Sequence, residues 1–186
     1  MMVEVQNSVE SIIREFQDNP YAFLYEEDIR ATLFCTLRNR IPGRRVVQGN
    51  GKPENEYCLR SIYCEYGGKI DIACLKPGQV EEHRASHKGF DTFIYNLPVE
   101  IGIELKYRKI GDTFMADKAL ADYYKLVRIG VENALVLAFI QSEQDIDTFL
   151  GSEEPENTGL ESFSSGLNGV FIISRSKIIK IAVAIE

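Results

Sequence analysis

The chain has 186 residues, 45% of them apolar and 26% charged, which suits one ordinary domain with a real core and argues against disorder as the default reading. A net charge of −7 argues against a protein that coats nucleic acid through bulk charge, while leaving room for phosphate contacts made by a local basic patch. No run approaches the roughly 18 apolar residues needed to span a bilayer, and residues 1–16 lack the apolar core of a signal peptide, so a soluble, cytoplasmic protein is expected.

In chain order, residues 8–16 place Val9, Ile12, Ile13 and Phe16 on one helical face. After the turn Asp18-Asn19-Pro20, a second helix is predicted over 21–39, with Pro20 suited to its first turn. Ile29, Leu33 and Leu37 form its apolar stripe. Glu26 falls on the same stripe, where a carboxylate is costly without a partner, and a bound cation is one such partner. Residues 41–53 are basic and turn-rich. Two strands are then predicted over 57–65 and 69–75, joined by Gly67-Gly68. Residues 76–96 read as an irregular connection that ends in a short strand at 90–95.

The next run, 98–107, has apolar residues at 99, 101, 103 and 105 and places 100, 102, 104 and 106 on the opposite face of a strand. A helix over 114–129 follows, with Asp112 or Thr113 as its cap and Ala116, Ala119, Leu120, Tyr123, Leu126 and Val127 as its buried stripe. Gly130 marks its end. Residues 133–140 form a continuous apolar run, as in a strand buried on both faces. Residues 141–168 read as a helix fragment and a loose loop, and strands at 170–174 and 178–185 close the chain. The order implies an α/β fold, with a central mixed β-sheet flanked by helices, as one domain over 1–186.

Glu104-Leu105-Lys106 sets a carboxylate and an ammonium on one face of a strand, roughly 7 Å apart. Phosphodiester hydrolysis needs a hard cation, an activated water and charge stabilisation at phosphorus, and Asp and Glu are the natural ligands of Mg²⁺. A second carboxylate from another strand is available in Asp71, within Gly68-Lys69-Ile70-Asp71-Ile72, and a third from a helix in Glu26. Each also has a plainer role. Asp71 suits a turn or ladder, Glu104 and Lys106 an exposed ion pair, and Glu26 and Asp28 the acidic first turn of a helix.

Taken in order, Glu26-Glu27-Asp28-Ile29-Arg30, Gly68-Lys69-Ile70-Asp71-Ile72 and Ile103-Glu104-Leu105-Lys106 resemble the PD-(D/E)xK nuclease superfamily over residues 21–140. Ile70 stands where the family name has proline. The resemblance implies a restriction-endonuclease-like core and metal-dependent cleavage of nucleic acid, with DNA the expected substrate. It implies Asp71 and Glu104 as ligands of Mg²⁺ or Mn²⁺, Lys106 as the catalytic lysine, and Glu26, or its neighbour Glu27, as an accessory ligand. The alternative is a nuclease-like fold that has lost catalysis and serves as a nucleic-acid-binding or protein-interaction module. A homodimer would supply two sites for two strands. Basic residues available to phosphates are Arg38, Arg40, Arg44, Arg45 and Lys52, and, near the motif, Arg108, Lys109, Lys118 and Lys125. Arg44, Arg45 and Lys118 are the first candidates.

Other signals are weaker. His83 and His87 have i, i+4 spacing but no H-E-x-x-H order. Cys35, Cys58, Cys64 and Cys74 match no iron–sulfur spacing and are expected as buried thiols. Neither a phosphate-binding G-x-x-x-x-G-K-[ST] loop nor a G-x-S-x-G elbow occurs.

Overall fold

A computed structural model describes residues 1–48, 56–76, 97–159, 163 and 166–183, apart from the side chains of 44–48, 56–57 and 156–158. Helix α1 (Met2–Asp18) buries Val5, Val9, Ile12, Ile13 and Phe16, and α2 (Glu26–Arg40) buries Ile29, Leu33 and Leu37, the stripe predicted from their spacing. These helices cover one face of a mixed sheet. The other face is covered by α3 (Ala116–Arg128), which buries Ala116, Ala119, Tyr123 and Leu126, and by the short α4 (Ile146–Leu150).

The strands are β1 (Arg44–Gln48), β2 (Glu56–Arg60), β3 (Ile62–Tyr66), β4 (Ile70–Leu75), β5 (Val99–Arg108), β6 (Asn133–Ile140), β7 (Pro155–Thr158), β8 (Gly169–Ile173) and β9 (Ile178–Ile181). Among the described residues, seven form one sheet in the order β3-β4-β5-β6-β8-β9-β7, and β1 and β2 pair separately. β5, β6 and β8 run parallel at the centre, while β3 and β4 on one side and β9 and β7 on the other are antiparallel. Leu135, Leu137 and Phe139 of β6 pack under α1 and α2, and Ala134, Val136, Ala138 and Ile140 under α3 and α4. Both faces of this strand are dry, which accounts for its unbroken apolar run.

Several expectations need correction. The second helix does not begin at residue 21, because Pro20 opens a separate 3-10 turn, Pro20–Ala22, and Phe23 is extended. Its carbonyl accepts the buried Tyr107 hydroxyl at 2.8 Å, a tertiary bond that competes with helix continuation. The strand expected at 57–65 bends at Ser61 into β2 and β3, which join different sheets. Periodicity reports a strand's faces but not its partners. The turn-rich 41–53 segment contains β1, and the loose 141–168 segment contains β7.

The α3 helix begins at Met115–Ala116 without a side-chain cap; Asp112 instead accepts the Lys109 amide at 2.9 Å. Val127 is exposed. At the other end, the amides of Gly130 and Val131 reach the carbonyls of Val127 and Leu126 at 3.0 and 3.2 Å. This closure needs the positive φ (82°) that glycine tolerates at position 130. Of the four cysteines only Cys74 is buried, and all four are free thiols. The expected strand at 90–95 and both histidines lie outside the described residues.

Candidate active site

The sequence motif converges where β4 parts from β5. Their ladder ends at the pair Ile72↔Ile103, so the next β4-facing amides of β5, those of Leu105 and Tyr107, lack a strand partner. Carboxylates take both. Asp71 Oδ2 accepts the Leu105 amide at 2.9 Å, and Glu26 Oε2 accepts the Tyr107 amide at 3.2 Å. Asp71 and Glu26 are thereby held at the notch by the backbone of the strand that carries Glu104 and Lys106.

Of the acids that open α2, Asp28 folds back to accept the amides of Leu24 and Tyr25 at 2.9 and 3.0 Å, and so serves the helix terminus. Glu27 is exposed, whereas Glu26 is half-buried and reaches β5. Arg30, one turn beyond Glu26, lies 3.2 Å from Asp71 Oδ1 and also pairs with Glu65.

The α3 face of β5 holds the rest. Glu104 is buried, 3% exposed. Its buried Oε1 forms an ion pair with Lys125 Nζ at 3.0 Å, off the preferred hydrogen-bond angle. Lys106 Nζ lies 2.7 Å from Asp122 Oδ2, and Lys125 Nζ 3.0 Å from Asp122 Oδ1. Gly102 lets α3 approach this closely, since a Cβ there would stand 3.0 Å from Val131 and 3.1 Å from Leu126.

Electrostatics follow from this crowding. Burial, reinforced by Asp71 and only partly offset by Lys125, pushes the Glu104 carboxyl up to about 7. Glu26 is raised by burial and by Asp71, against the pull of Lys106 and the Tyr107 amide. For Lys106, burial opposes the charge, but Asp122, Glu26 and Asp71 outweigh it and raise its proton affinity. Burial likewise opposes ionisation of Asp122, yet Lys106 and Lys125 outweigh it and hold that carboxyl low.

The structure therefore brings Glu26, Asp71, Glu104 and Lys106 to one notch and adds Arg30, Asp122 and Lys125. Arg30 sits at i+4 from Glu26, and Asp122 and Lys125 share one face of α3; these spacings were the available signals. Lys118 is exposed one turn before Asp122. Arg44 and Arg45 belong to β1, but their side chains lie outside the described set. Arg108 is not available to phosphate: it is 4% exposed, stands over the Phe149 ring and donates to the Phe114 carbonyl. Arg38 spans the Ile62 carbonyl and the Phe34 ring.

Among the described residues, no three Asp, Glu, His or Cys side chains are set together as a ready metal cage. The donor chemistry nevertheless suits a hard divalent cation. Asp71 raises the cost of ionising Glu104, whose buried Oε1 is paired with the Lys125 ammonium without a well-aligned hydrogen bond. Comparison with family models, with curated proteins and with solved structures gave no match.

Proposed function

We propose that this chain is a divalent-metal-dependent nuclease of the PD-(D/E)xK kind, with a restriction-endonuclease-like core, that hydrolyses phosphodiester bonds of DNA. The observation that carries the reading is that Glu26, Asp71, Glu104 and Lys106, from one helix and two strands, lie near enough at the fork between β4 and β5 for their charges to act on one another. Asp71 and Glu104 would hold Mg²⁺ or Mn²⁺, with Glu26 as the accessory carboxylate. The bound cation supplies a polarised water and neutralises charge on the phosphate. Glu104 contributes its buried Oε1, which Lys125 Nζ approaches to 3.0 Å off the preferred hydrogen-bond angle. Asp71 is oriented from two sides, by the Leu105 amide and by Arg30. Lys106 brings a fixed positive charge beside these carboxylates, suited to orient the attacking water and to steady charge at phosphorus. Arg44, Arg45 and Lys118 are the proposed phosphate contacts, and a homodimer would bring two sites to a duplex.

A second reading is a nuclease-like fold used only for binding. It is favoured by one feature: the Asp71 oxygens and the Lys106 ammonium already have protein partners. The test is cleavage of plasmid and single-stranded DNA with Mg²⁺ or Mn²⁺ by the wild type, Asp71→Ala and Lys106→Ala. Metal-dependent cleavage that both substitutions abolish is the expected result. No cleavage, or equal cleavage by all three proteins, would sink the nuclease reading and favour the binding module.

A further inference from the structure

The strand motif Glu104-x-Lys106 meets a second charged pair, Asp122 and Lys125, on the face of α3 that covers it. The four side chains form a chain of alternating sign: Glu104, Lys125, Asp122, Lys106, with successive contacts of 3.0, 3.0 and 2.7 Å. Its links are unequal. Lys125 stands 3.0 Å from both Asp122 Oδ1 and Glu104 Oε1, but its contact with Asp122 has good hydrogen-bond angles and its contact with Glu104 does not, so the buried oxygen is neutralised by a less directed partner. A buried carboxylate needs a compensating charge, and an ammonium one-third exposed on a long flexible stem supplies one that can leave.

We infer that Lys125 is a tethered counter-ion that occupies the metal-facing oxygen of Glu104 and competes with the divalent cation, while Asp122 anchors Lys125 when it yields. This rests on the metal-site reading above. Two opposite consequences follow. Removing the ammonium leaves Glu104 open, so the cation binds more tightly. Removing Asp122 deprives Lys125 of its other anchor and concentrates it on Glu104, so the cation binds less tightly.

The experiment is Mn²⁺ binding to the full chain, measured by electron paramagnetic resonance of the free ion, together with thermal unfolding with and without Mn²⁺. Lys125→Met should tighten Mn²⁺ by about tenfold. It should lower the melting temperature only when metal is absent, because a bound cation replaces the lost charge. Asp122→Asn should weaken Mn²⁺, and Lys125→Arg should stay close to wild type. In a Glu104→Gln background, Lys125→Met should no longer alter Mn²⁺ affinity. A general surface-charge effect is separated by Arg128→Met, which removes one exposed positive charge from the same helix, three residues beyond Lys125, and should leave the affinity nearly unchanged.

If the wild type binds Mn²⁺, Asp71→Ala abolishes binding and Lys125→Met leaves it unchanged, the counter-ion role is overturned and the metal site stands. An equal gain from Arg128→Met and Lys125→Met also overturns it. If the wild type binds no Mn²⁺, the metal site and the counter-ion role both fall.

Discussion

At Glu104, burial and charge act against each other. The carboxyl is pushed up to about 7, above its ordinary 4.5, so the folded protein holds a proton between those values that the unfolded chain releases. Stability from this group is complete below about pH 4.5 and is lost as pH rises through about 7, to a limit of about 3 kcal/mol. Glu104→Gln should therefore melt higher than wild type at about pH 8 and nearly with it at about pH 4.5. Thermal unfolding across that range without divalent metal checks this; a constant difference at every pH would show that Glu104 does not titrate as its surroundings dictate. Glu104, whose ionisation its burial makes costly, is also the carboxylate proposed to face the cation, which links local instability to the proposed chemistry.

On the scale of elements, the site depends on two departures from regular pairing. β4 leaves β5 after Ile72↔Ile103, which frees the amides that Asp71 and Glu26 capture. α3 lies close to β5 because position 102 has no side chain. Gly102→Val should push against Val131 and Leu126, cost about 1–3 kcal/mol, and move Asp122 and Lys125 away from Lys106 and Glu104. The expected outcome is a lower urea midpoint with a larger proportional loss of metal-dependent cleavage. Unchanged cleavage in a folded variant would mean that the approach of α3 is not needed. The contact also explains why alternation along β5 reads incompletely in the sequence. Glu104 occupies the face opposite Ile101 and Ile103, as the period demands, yet that face is covered by a helix rather than by water.

For the whole molecule, a core divided between two layers makes the central strand common to both. Leu137 of β6 is fully buried under α1 and α2, so Leu137→Ala should cost about 2–5 kcal/mol, read as a lower denaturant midpoint for the whole transition. Loss of one helical layer with the other intact would show instead that the layers melt separately. Net charge acts at the same scale. With −7 overall, the proposed binding to DNA must rely on a few local cations, so the Arg44→Ala, Arg45→Ala double variant should flatten the salt dependence of affinity by about two units of slope. An unchanged slope would remove this pair from the interface. Among the described residues, no helix is long and apolar enough to cross a membrane.

Residue order alone was enough to specify the α2 stripe of Ile29, Leu33 and Leu37, the Gly67-Gly68 turn, the doubly buried β6, and Glu26, Asp71, Glu104 and Lys106 as candidates. Those signals are local, since each arises from a helical or strand period or from a backbone conformation that few residues adopt. The break at Ser61, the 3-10 turn at Pro20–Ala22, and the places of Arg30, Asp122 and Lys125 came only from tertiary packing. A strand's period does not name its partner, and a charged residue's spacing does not say which charge it will meet across a layer. What turns Glu104-x-Lys106 from a surface pair into a buried, contested site is the helix laid over it, and that contact joins residues separated along the chain.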